Sequence, residues 1–127
     1  MTTSQIVLYG ILAFLIFIYA RKFLLTRSVA RYTPSQLADR LKEGGVVLLD
    51  VRTAGEYNGG HMKGAIHIPV QELATRTDEL KRHTDREIVC YCQSGSRSLM
   101  GAARLKKLGY RTASLDGGIA EWNFLYR

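Results

Sequence analysis

The chain has 127 residues and a mass of 14.3 kDa, room for one ordinary domain. Hydrophobic residues make up 46% and charged residues 23%, which excludes a disordered chain. The formal net charge of +7 does not imply nucleic-acid binding, because four of the cations sit in one short stretch and no aromatic-interleaved basic stripe occurs.

From Met1 to Ala20 no side chain is charged, and "IVLYGILAFLIFIYA" is almost solid hydrocarbon. About 20 helical residues span roughly 30 Å, the thickness of a bilayer core, so the stretch reads as a transmembrane helix. A cleaved secretory signal is the weaker reading: "MTTSQ" lacks basic residues and "IYARKF" is a poor cleavage site. Tyr9 and Tyr19 are interface or lipid-facing aromatics. Arg21, Lys22, Arg27 and Arg31 all follow the span, and the first acid is Asp39. This places the rest of the chain on the cytoplasmic side of the inner membrane, as a single-pass protein. Attraction of the flank to anionic lipid explains the excess charge, since residues 39–127 carry fourteen basic and eleven acidic side chains. The expected division is a span with its basic flank over 1–25, a linker over 26–32 and a folded domain over 33–127.

The domain opens with "TPSQLADRLKEGG", a helix with a Thr33–Gln36 capping box, Pro34 in its first turn, Leu37 and Leu41 facing inward and a stop at Gly44. "VVLLD" is a continuous apolar run of strand length, the pattern of a strand buried on both faces in a parallel sheet. "TAGEY" repeats the capping-box spacing from Thr53 to Glu56 before Gly59 and Gly60, and "AIHIP" is a short strand closed by Pro69. Residues 70–82 read as helical, "EIVCY" as a third strand, "SLMGAARLKKLG" as a helix stopped by Gly109, and "TASL" as a further strand before "GGIAEW". Short strands alternating with helices predict an α/β sandwich around a mainly parallel sheet.

Ligand sites in open α/β sheets form beyond the carboxyl ends of the strands, and Cys92 stands at that place. The next residues, Gln93, Ser94, Gly95, Ser96 and Arg97, offer successive backbone N–H groups, backed by the positive end of a helix starting near Arg97. Such a cradle favours an anion and lowers the pKa of a thiol at its rim. Cys92 is therefore the candidate nucleophile. Arg97, at the loop's close, faces the anion or braces the loop. Cys90, mid-strand in an apolar run, reads as core, with a resolving thiol as the lesser option. The two cysteines are spaced C-x-C, unsuited to a mutual bridge and too few for a zinc site, and they fit a reducing compartment.

From about Thr33 to Trp122 the chain resembles a single rhodanese domain. "LLDVRTAGEYNGGHMKGAIHIP" is similar to the family's first segment, "CQSGSRS" to its active-site loop and "LDGGIAEW" to its closing motif. The resemblance implies a three-layer α/β fold and a sulfurtransferase that carries a sulfane sulfur as a Cys92 persulfide. It implies an anionic donor such as thiosulfate and a cyanide or thiol acceptor, with no cofactor. Loop amides would stabilise the persulfide, with the Ser94 and Ser96 hydroxyls as auxiliaries, and Gln93 sits where side chains tune the donor. Asp50 and Arg52 are site-rim residues or a structural ion pair, Glu56 a cap, and His61 and His67 structural. Trp122 is expected under the last helix, with Gly117 and Gly118 bending the chain near the site.

Two other readings compete. Protein tyrosine phosphatases resemble rhodaneses here but place five residues between cysteine and arginine, where "CQSGSR" has four. A phosphatase or arsenate reductase would want a larger cup for a tetrahedral oxyanion and a general acid. A non-catalytic binding module is the third reading, and the intact Cys92 weighs against it.

Overall fold

In the computed structural model, which describes residues 1–126, the apolar stretch forms one helix, α1 (Thr3–Thr26). Thr2 and Gln5 close a capping box at its start, and Thr26 is its one buried residue. By length and composition it can cross a membrane: its most apolar 18-residue window has a mean hydropathy of 1.9 and none of that window is buried.

The segment expected as a linker is not all linker. Residues Ala30–Tyr32 form strand β1, which pairs in parallel with β5 (Thr112–Leu115), Ala30 opposite Ala113 and Tyr32 opposite Leu115. Without β1 the backbone edge of β5 would be unpaired. Val29 enters the core beside it, and Arg31 pairs with Asp116 at 2.8 Å, so this arginine belongs to the sheet edge as well as to the basic flank.

Helix α2 (Pro34–Glu43) carries the expected Thr33–Gln36 capping box. Leu37 is fully buried, but Leu41 is 36% exposed: in the last turn before Gly44 it lines a shallow surface cleft with Val46. Strand β2 (Val46–Asp50), helix α3 (Ala54–Asn58) and strand β3 (Ile66–His67) follow. The region read as one helix over 70–82 is broken. A 3-10 turn at Val70–Glu72 leads into a single α turn, α4 (Leu73–Arg76), and a second 3-10 segment, Thr77–His83. Leu73 and Leu80 are the buried anchors of this segment, and Arg76 makes short-range ion pairs with Glu72 and Glu79. Then come β4 (Glu87–Tyr91), α5 (Ser96–Lys107), β5 and α6 (Gly118–Tyr126).

The sheet is parallel throughout, in the order β1-β5-β4-β2-β3. Successive side chains of a strand point to opposite faces, so Leu48, Val89 and Tyr91 meet Leu37 of α2 and Ile119 of α6 on one side. Leu49, Ile88 and Cys90 meet Leu73 of α4 and Ala102 and Leu105 of α5 on the other. Helices on both faces explain why β2 and β4 are unbroken apolar runs. Trp122 is part of α6 itself, half-buried against the α2 side of the core and tilted over Tyr126 at a ring-centroid distance of 4.6 Å.

Candidate active site

Strands β2 and β4 are neighbours, with Asp50 in register with Tyr91. From β2 the sheet grows toward β3, and from β4 toward β5, so their carboxyl ends flank the point where strand order reverses and a crevice opens. Cys92 follows β4 at this point, and Arg52 follows β2.

The thiol lies at the floor of a cup and is 1% exposed as a residue. The Gly95 N–H donates to Sγ at 3.0 Å, and the Ser98 hydroxyl lies 3.5 Å away. Burial pushes the thiol up, but the Ser98 hydroxyl and the backbone N–H groups of Ser98, Gly95 and Ser94 outweigh it, leaving Cys92 below its ordinary pKa. Ser98 is itself oriented: its Oγ lies 2.8 Å from Ser114 Oγ and 3.1 Å from the Gly95 carbonyl, with both serines buried. As the thiol ionises, Ser98 can turn its proton to sulfur while Ser114 donates to Ser98.

Two glycines make the cup. Gly95 has φ +114°, a conformation that an L side chain rarely adopts, and it caps α5 without a side-chain oxygen. Gly118 has φ +62°, and a Cβ there would fall 2.5 Å from the Cys92 carbonyl oxygen. This close approach lets α6 bond to the loop: Ile119 N–H donates to the Cys92 carbonyl at 2.9 Å and Ala120 N–H to the Gln93 carbonyl at 3.2 Å. In a trans peptide the N–H points opposite its carbonyl. Tying these carbonyls toward α6 therefore turns the N–H groups of Gln93 and Ser94 away from it.

Arg97 is a brace. Its guanidinium grips Glu56 through two bonds, Nη1–Oε1 at 2.7 Å and Nη2–Oε2 at 2.9 Å, joining the first turn of α5 to α3. Glu56 also closes the Thr53 capping box, as expected of a cap. The Arg97 contact, against a smaller opposing effect of burial, holds its carboxyl down to about 2 from an ordinary 4.5. A carboxylate with a depressed pKa stabilises the fold above its unfolded value and loses that contribution as the pH falls toward its folded value. Glu56→Gln is therefore expected to flatten the acid limb of the stability curve between about pH 4.5 and 2, by roughly 1 kcal/mol after solvent screening. Denaturant melts of both proteins across that range check this, and parallel curves would refute it.

Asp50 and Arg52 form a buried ion pair, Nη2–Oδ2 2.7 Å, with the carboxylate 0% and the arginine 4% exposed. Arg52 also donates to the Gly60 carbonyl at 2.7 Å and reaches the Gln93 amide oxygen at 3.4 Å. Arg52 thus ties Asp50 to the Gly60 turn and touches the residue next to Cys92. Beside Gln93 opens a polar cleft of about 500 Å³ whose walls include Arg52, Glu56, His61 and Asn123. His61 stacks on Tyr57 at 3.8 Å, and Tyr57 in turn on His67, whose Nε2 lies 2.8 Å from the Arg52 carbonyl. These contacts brace the segment that carries Arg52. Ser94 and Ser96 are exposed at the loop's outer side, and Ser96 Oγ lies 3.4 Å from the Lys22 ammonium of α1. The hydroxyl on sulfur belongs to Ser98. A serine on the buried Ser98–Ala102–Leu105 stripe of α5, opposite a serine in the buried β5, was the sequence signal for it. Cys90 is fully buried, its thiol pushed up to about 12, first by burial and then by Cys92, which makes it a poor nucleophile.

A family model for the rhodanese-like domain matches residues 33–124. The chain belongs to the rhodanese-like family. Its relatives include the uncharacterized protein YqhL of Bacillus subtilis, 32% identical over 121 residues, covering 94% of this chain and 93% of that one. A sulfurtransferase of Allochromatium vinosum is 38% identical over 78 residues, covering 61% and 71% of the two chains. A rhodanese-related protein from Thermoplasma volcanium superposes with a TM-score of 0.70 at 27% identity, over 76% of this chain and 93% of that structure. Across curated relatives this chain spans from 24% to 93% of their length, so in several the rhodanese-like domain is one part of a longer protein.

Proposed function

We propose that the protein is a membrane-anchored sulfurtransferase that moves a sulfane sulfur through a persulfide on Cys92. The observation that carries this reading is a single thiol of lowered pKa, held in a cup by backbone N–H groups and the Ser98 hydroxyl. The Cys92 thiolate attacks the outer sulfur of thiosulfate. A Cys92–sulfur bond forms, the sulfur–sulfonate bond breaks, and sulfite leaves with the electron pair. Cyanide or a thiolate then attacks the terminal sulfur, and the Cys92 thiolate returns. No outside oxidant or reductant is needed. The terminal sulfur sits about 2 Å beyond Sγ, within reach of the turned N–H groups of Gln93 and Ser94. The depth of the thiol favours slim donors. The sulfurtransferase relative from Allochromatium vinosum supports the same reaction class.

The phosphatase reading is less well supported. Arg97 is held by Glu56, and Glu56 and Asp50 are each tied to an arginine, which leaves neither free as a general acid. In the same proposal, α1 crosses the inner membrane and the basic residues after it keep the domain on the cytoplasmic side.

Mass spectrometry of the full-length protein after exposure to thiosulfate tests the persulfide: one added sulfur atom, located on Cys92, is expected. An unchanged mass across several sulfane donors would falsify it. Ser98→Ala probes how the thiolate is made. Loss of one hydrogen bond to a charged acceptor is expected to raise the pH midpoint of Cys92 alkylation by about one unit, while the plateau rate at high pH persists. A midpoint that does not move would remove Ser98 from the mechanism.

A further inference from the structure

A cleft of about 630 Å³ lies away from the thiol, between α1 and α5. Its two ends differ in chemistry. Phe14, Phe17 and Ile18 of α1 form the apolar end. Arg21 and Lys22 of α1 and Arg104 and Lys107 of α5 supply four cations, and among the described residues no carboxylate lines the cleft. None of these four takes part in an ion pair among the described residues. Their protein partners are weak and uncharged, the Ser96 hydroxyl for Lys22 at 3.4 Å and the Val70 carbonyl for Arg104 at 3.3 Å.

Four close cations repel one another unless an anion neutralises them. Along α1, seven residues separate Phe14 from Arg21, about 10 Å at the helical rise. The apolar end therefore lies inside the uncharged stretch that ends at Ala20, and the cationic end begins just where that stretch stops. A small anion would leave the phenylalanine wall exposed, whereas an acyl chain alone would leave the charges unmet. The ligand that satisfies both ends is an amphiphile with an anionic head. We propose that the cleft between α1 and α5 binds the headgroup and upper acyl chain of one anionic phospholipid. General attraction of a basic flank to a charged surface needs only α1 residues. This site also recruits Arg104 and Lys107 from the folded domain, and so fixes how the domain sits on the membrane. The proposal rests on α1 being embedded in a bilayer.

The test uses the full-length protein in a neutral detergent, titrated with dioleoyl phosphatidylglycerol or dioleoyl phosphatidylcholine and read by native mass spectrometry. One phosphatidylglycerol per chain is expected to stay bound, with phosphatidylcholine lost. The Arg104→Gln/Lys107→Gln variant, changing two exposed side chains of α5, is expected to bind phosphatidylglycerol about thirtyfold more weakly, the effect of two cations near a charged headgroup. Equal retention of the two lipids, unweakened binding by the double variant, or displacement of the lipid by inorganic phosphate would each overturn the proposal. Sedimentation of the full chain with membranes after alkaline carbonate separates this from the anchor. A chain recovered in the soluble fraction refutes the anchor, and an anchored chain with no lipid adduct refutes the cleft alone.

Discussion

Under the proposed persulfide mechanism, Cys92→Ser is expected to abolish sulfur transfer from thiosulfate to cyanide, with turnover falling on the order of 10⁴-fold or more, because the nucleophile of a covalent mechanism is removed. Serine preserves the fold: its oxygen can accept the Gly95 N–H that now meets Sγ at 3.0 Å, and the volume change is small. What serine cannot do is ionise near neutral pH or hold a transferable second sulfur. The control is Cys90→Ala. Its thiol is fully buried and pushed up to about 12, so its loss should cost stability of roughly 1 kcal/mol through a small cavity and leave transfer per folded molecule intact. Steady-state assays of both variants, normalised to folded protein, decide the matter. Residual transfer by the serine variant at a substantial fraction of the parent rate would end the persulfide mechanism. Retained hydrolysis of an aryl phosphate by the parent, lost with Cys92, would favour the phosphatase reading instead.

The parts of this fold that are legible in the sequence are those whose signal is local. Strands β2 and β4 fall on the expected residues because burial on both faces leaves an apolar run, and β5 falls on the expected TASL, whose four residues are all buried. Helices α2 and α3 are announced by capping boxes, which are contacts between residues three apart. Two features needed a distant partner. Strand β1 has no apolar run of its own and exists because β5 offers an edge 83 residues later, Ala30 on Ala113. The segment over 70–82 has helical composition, but only Leu73 and Leu80 are fixed to the core, and 3-10 turns flank its one α turn.

The site follows the same rule. Cys92 is visible because a thiol at a strand end before small polar residues is a local pattern. The direction of Arg97 is not, because it is decided by Glu56, 41 residues earlier. Ser98 was hidden for a related reason: its partner is Ser114, on another element. Among the hydroxyls of "CQSGSRS", helical periodicity alone separates the exposed Ser96 from the buried Ser98.

Gly118→Ala is expected to damage both fold and site, and the comparison with another glycine shows why. At Gly64, φ is +79° and a Cβ would meet nothing within 4 Å. Gly64→Ala should therefore lose only the backbone preference, about 1 kcal/mol. At Gly118, φ is +62° and the added carbon would fall 2.5 Å from the Cys92 carbonyl oxygen and from the Gln93 carbonyl carbon. Neither neighbour is a flexible side chain that can swing aside. Either α6 retreats or the loop does, and the bonds from Ile119 and Ala120 to those carbonyls break. Adding the overpacking cost gives a loss of roughly 3 kcal/mol. The second effect is chemical. With its carbonyls released, the loop no longer aims its N–H groups into the cup, so the thiol pKa should climb and sulfur loading at neutral pH should slow. Denaturant melts measure the first effect and the pH dependence of Cys92 alkylation the second. If Gly118→Ala proves as mild as Gly64→Ala in both, the closure of α6 on the loop does not organise the cup, and its N–H groups must be held by the loop's own turn.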